Sequence, residues 1–264
     1  MSTRVQVVAA ASGLALAAAC SPAAPPAPID LRAAAGVDDL TPSGVAVDPT
    51  GARYVFDAGR GLYQLDGASM QLVLPLSSMP DPGTPVRPPY TDIAAVGPGQ
   101  LAITAIGDGY LLDVARGTMR QWFCYVPSDL PEPYDQRTDA VAYDPDAGLL
   151  YAQPRTFDAG GALIASQVAS YSYETGADLD WVNLETVVAA GGMAKIPGYD
   201  GLTLGVGTTL CNLSGIALSE TIDLAPLGVA SIDGLAVDHQ ANTLLVLDGV
   251  QDQLFELDLA SLER

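Results

Sequence analysis

"SGVAVDPTGARYVFDAGRGLYQLD" occupies residues 43–66, and its Gly, Pro and Asp residues mark where short strands begin and end. "GVAVD" (44–48) reads as a strand, and "PTG" turns the chain. "RYVFD" (53–57), "GLYQLD" (61–66) and "QLVLPL" (71–76) supply three more strands. Each is short, β-branched or aromatic, and bounded by Gly, Pro or Asp, as in strands joined by tight turns.

The unit recurs. Its central alanine aligns with Ala46, Ala95, Ala142, Ala194 and Ala236, at gaps of 49, 47, 52 and 42 residues. Such a period fits propeller blades, each a four-stranded antiparallel sheet. The expected fold is all-β, a five-bladed propeller; a sixth blade would have to hide in the long third unit. The last unit has "GLAVD" (234–238), "TLLVLD" (243–248) and "QLFELDL" (253–259), then lacks a fourth strand. "PIDLR" (28–32) is expected to fill that place, close the ring and remove an exposed edge. Helical candidates are few: "LASLER" near the end, and "ARGTMRQWF", read as a turn feeding a strand.

Residues 1–20 read "MSTRVQVVAAASGLALAAAC", a single charge followed by a short apolar run of small residues. That describes a secretory signal, too short and Ala-rich for a comfortable membrane span. "LAAAC" resembles the lipobox of bacterial lipoproteins, although Leu16 stands one place earlier than the usual Leu. The resemblance implies a signal peptide over 1–19 and acyl chains, palmitate among them, on Cys20. Ser21 after the cysteine resembles outer-membrane sorting; an ordinary cleaved signal is the alternative. The stretch over 20–28, rich in Pro and Ala, is expected to be a semi-rigid tether, with the propeller over 29–264.

The net charge of −20 and a single lysine, Lys195, argue against nucleic acid as a partner, since phosphate contacts need basic patches. Beyond the lipid-anchored membrane contact, the expected partner is an unidentified protein or small molecule, with the propeller a monomer. Cys124 and Cys211 fall in non-neighbouring blades, so two buried thiols are favoured over a disulfide.

Residues 43–66 resemble NHL-type repeats. "IDGLAVDHQANTLLVLD" (232–248) resembles both those repeats and the regucalcin/gluconolactonase family. In that family, acidic and Asn side chains opening the innermost strands bind a divalent cation. The resemblance implies that role for Asp233, and Asp92 and Asp139 hold the same place in their blades. The first and fourth places carry Ser43 and Gly191, and none carries Asn, so the family's ligand set is incomplete.

Ring closure alone also brings these positions together. At about 6 Å and an effective dielectric of 20, each pair of carboxylates repels by roughly 3 kcal/mol. A proton, water or a cation, Ca²⁺ best among them, would relieve it. The other reading is that each Asp bonds backbone N–H groups where loop meets strand. Asp48, Asp144 and Asp238, at the far ends of the same strands, read as turn formers. Asp57 and Asp248 end the second strands on the face of Asp233 and read as solvated edge residues, an extension of an acidic rim being the other reading.

The loops 77–92 and 126–139 are long, Pro-rich and end near a Tyr and a ring Asp. Such loops on a rigid scaffold carry recognition. They nominate Arg87, Tyr90, Tyr134 and Arg137, with Ser43, as a ligand-binding rim. Catalytic signals are thin. His239 is the only histidine and lies in a turn remote from this rim, and no GxSxG, HExxH or CxxC motif occurs. The expected function is a membrane-anchored, extracytoplasmic scaffold that binds a ligand or a protein. A divalent-metal-dependent lactonase is the alternative.

Overall fold

The structure, a computed structural model, describes residues 26–79, 90–105, 108–124, 135–199 and 201–262. Five four-stranded antiparallel sheets form a five-bladed β-propeller. The inner strands are Pro42–Val47, Tyr90–Gly97, Asp135–Asp144, Gly192–Ala194 and Gly234–Asp238, of blades 1 to 5. They touch one another in that cyclic order, and the fifth touches the first, so the ring is closed. No sixth blade hides in the third unit. Its extra length lies in longer strands, Leu149–Phe157 and Leu163–Ser172, which make a tall hairpin.

The ring closes as the sequence requires, with a shorter strand than expected. Only Ile29 and Asp30 pair, with Leu254 and Gln253. Asp30 then caps a helix, accepting from the Ala33 amide at 3.0 Å, and Leu31–Ala35 turns away. Leu31 is fully buried among Leu245, Leu247 and Leu254, and Arg32 forms an ion pair with the buried Asp252. Sheet pairing, an apolar plug and a charge pair therefore all hold the seam.

A second clasp ties blade 5 to blade 1. The guanidinium of Arg53 donates to Asp238 from Nε at 3.1 Å and Nη2 at 2.9 Å, and to Glu256 from Nη1 at 2.6 Å. Asp48 ties blade 1 to blade 2. It accepts from Thr50 and Ala52 in its own turn and from the Gly99 amide at 2.7 Å across the gap. The turn-former reading of these aspartates is thus right but incomplete, since two of them also staple neighbouring blades.

Asp57 and Asp248 correct the sequence reading. Both are fully buried rather than solvated. Asp57 accepts from the amides of Thr41 and Gly59, and Asp248 from those of Ala230, Val250 and Gln251. Each holds the incoming loop against its own hairpin, which satisfies amides that have no strand partner. Their chain position at a strand end looks exposed; the loop folding back over it hides them.

The apolar core lies between blades. Tyr54, Phe56 and Leu62 of blade 1 pack with Ile93, Ile103 and Tyr110 of blade 2, and equivalent clusters fill the other gaps. Cys211 is a buried thiol in blade 4, and Cys124 ends a strand of blade 2.

Candidate functional site

The inner strands begin on one face of the ring. A cavity of about 330 Å³ opens there, at the expected mouth. Ser43, Asp139, Gly191 and Asp233, four of the five aligned positions, line it, together with Tyr90 and Arg155.

Asp233 is partly exposed and accepts from the Gly249 amide at 2.9 Å. Asp139 is paired with the guanidinium of Arg155, and both side chains are mostly buried. The Ser43 hydroxyl is buried without a hydrogen-bond partner. Arg155 comes from the second strand of blade 3, where it pairs in register with Arg137. Hairpin register was the signal that would have found it: a residue opposite the start of the inner strand must share the mouth.

Asp92, the fifth aligned residue, sits behind this cavity, with 1% of its surface exposed. One oxygen accepts from the Ile93 amide at 2.8 Å, the other from Val141 of blade 3 at 3.0 Å. Burial pushes its carboxyl well above the usual carboxylate range. The two amides offset part of that, and the charge of Asp139 adds to it.

The three ring carboxylates are thus engaged separately, by two amides, by a guanidinium and by one amide. The backbone-bonding reading describes Asp92 and Asp233. Among the described residues, no three His, Cys, Asp or Glu side chains are placed to hold one metal ion. A calcium ion takes six to eight oxygens, waters and carbonyls included, and here Arg155 already counters the charge of Asp139.

The rim residues separate as well. Tyr90 lines the cavity but is 1% exposed, its ring edge-on to Phe56 and Tyr110 at 6.0 Å each. It is chiefly a core residue. Arg137 stacks over Phe157, 4.8 Å from the ring centre, outside the cavity lining. Arg87, Tyr134 and Cys20 lie outside the described residues.

Below the mouth the ring narrows. The next inner-strand layer is Gly44, Ile93, Ala140, Gly192 and Gly234. A side chain on Gly44 would lie 2.8 Å from the Ile93 nitrogen, and one on Gly192 would lie 2.6 Å from that of Leu235. Backbones press together at these positions, which only glycine permits.

No family model matches the chain, and no curated protein matches it in sequence. A chain in the crystal structure of a mitotic checkpoint complex matches at 12% identity and a TM-score of 0.46, over 97% of this chain and 98% of that one. A likeness this distant says nothing of function.

Proposed function

We propose that the protein is a lipid-anchored binding module of the bacterial cell envelope, whose ring mouth takes up a polar small molecule or a segment of a protein. One observation carries this reading. Arg155, Asp139, Asp233 and Ser43, from blades 3, 5 and 1, meet around a single cavity on rigid strands. Convergent polar groups in a preformed concavity are the usual make-up of a ligand site. Asp233 and the Ser43 hydroxyl retain hydrogen-bonding capacity that the fold does not use. Arg155 and Asp139, held together as an ion pair, present both donor and acceptor groups to the cavity.

Binding is favoured over catalysis because the single His lies in the turn after blade 5's inner strand, at the opposite face. The anchor rests on "LAAAC" ending at Cys20 and on the Pro/Ala stretch after it. Outer-membrane placement rests on Ser21.

A thermal-shift screen of polar metabolites and peptides against the wild type and Arg155→Met tests the mouth. A hit that loses its shift in the variant supports the reading. Hits indifferent to both Arg155→Met and Asp233→Asn overturn it. Palmitate labelling tests the anchor: label and membrane recovery should both vanish in Cys20→Ser.

A further inference from the structure

The ring holds a second cavity on the other side of the glycine layer, and its chemistry is different. It has a volume of about 310 Å³, shares no lining residue with the mouth, and opens where the inner strands end. Its wall is built in layers. Ala46, Ala95, Ala142, Ala194 and Ala236, the five repeat alanines, form one layer. Val47, Val96, Tyr143, Lys195 and Val237 form the next. Five methyl-sized side chains at equivalent positions leave the axis unfilled, where larger ones would pack it solid. An unfilled apolar space of this kind takes up apolar guests, and its volume lies at the small end of ligand pockets, about 300–1,000 Å³.

The polar groups at this end are unusual for so acidic a chain. Its only lysine and its only histidine, Lys195 and His239, both line this cavity, and Lys195 also borders a smaller one between blades 3 and 4. Lys195 Nζ donates to the carbonyls of Gly201 at 2.8 Å and Tyr199 at 3.3 Å, and meets no carboxylate among the described residues. The one acid of the lining, Asp48, is buried and already accepts from Thr50, Ala52 and Gly99. The cavity thus offers an apolar body site, and Lys195, one of its lining residues, holds its ammonium on the carbonyls of Tyr199 and Gly201 outside that lining, with one N–H left for a head group at the open end.

We propose that this axial cavity binds a small amphiphile: an apolar body against the alanine ring and a carboxylate head towards Lys195 and His239. The glycine layer stops the body from passing through, so the site selects short molecules. It is independent of the entry mouth, which the tests below leave untouched.

The test is a melting-temperature titration of the folded protein with octanoate, octanol and octylammonium, each below its micelle concentration. Octanoate should raise Tm by about 3–6 °C at tenfold excess over Kd. Octanol should do less, and octylammonium least. Ala95→Leu, which fills the partly exposed alanine position, should abolish the octanoate shift. Val237→Phe is the second filling variant, should the first melt early without ligand. Lys195→Met should bring octanoate down to the level of octanol. No shift with octanoate, an equal shift for all three heads, or a shift unchanged in both filling variants would overturn the proposal.

Discussion

The carboxylate of Asp92, on blade 2, receives the amide of Val141, on blade 3, at 3.0 Å, out of reach of solvent. Of the two sequence readings of this side chain, cation ligand or partner of backbone amides, the geometry shows the second, a strut between inner strands, and its burial has a consequence for acid–base behaviour.

Because burial raises the Asp92 pKa in the folded chain, the proton is held more tightly there than in the unfolded one. Its stabilising contribution is fully present below about pH 4, falls as pH rises, and is lost above the raised folded pKa. Asp92→Asn should remove that decline, giving a flatter stability curve between pH 4 and neutrality. Urea midpoints for both proteins across that range measure it. A wild-type curve parallel to the variant's would refute it.

Asp48 and Asp238 act in the opposite sense. Burial raises both, but hydrogen bonds outweigh it and leave them below the usual range: the Thr50 hydroxyl and three amides at Asp48, two amides and Arg53 at Asp238. Their contribution is present above about pH 4 and lost as pH falls through the lowered values. Arg53→Ala strands Asp238 at the seam and should destabilise the ring by about 1–3 kcal/mol at neutral pH. The variant's loss relative to wild type should shrink in acid. Denaturant melts at neutral and acid pH check both statements.

Leu31 should matter far more than its place near the chain start suggests. Truncating it to alanine should cost about 2–5 kcal/mol, as for other buried leucines. Deleting residues 26–35 should also bare the edge of Gln253–Asp258 and promote association through that strand. Thermal melts and light scattering report the two effects separately.

Millimolar calcium should leave the melting temperature unchanged, since Arg155 already neutralises Asp139 and Asp92 faces amides. A clear stabilisation that is lost in Asp233→Ala would restore the metal reading, and a lactone-hydrolysis screen would then follow.

The blades were legible because a strand–turn–strand unit repeats around one small residue, and Ala46 to Ala236 mark it without help from any neighbour. Closure by Ile29 was legible too, since a blade one strand short needs a partner. Side-chain direction was harder. Asp57 looked solvated because the loop covering it belongs to tertiary structure. Asp92 and Asp233 share an alignment column, yet one is sealed by Val141 and the other partly open. Arg155 carries no local signal; only hairpin register brings it to Asp139. The axial cavity could have been read from the five alanines, because small residues at every equivalent position leave a hole.

Ile29 and Asp30 are synthesised more than two hundred residues before the strand they complete. Blades 1 to 4 can each form from contiguous chain before blade 5 is complete. The ring cannot lock until Gln253–Asp258 finds that waiting segment. Until then the folding chain is an open arc with two unsatisfied ends, and this is the interval in which a chaperone would have most to protect.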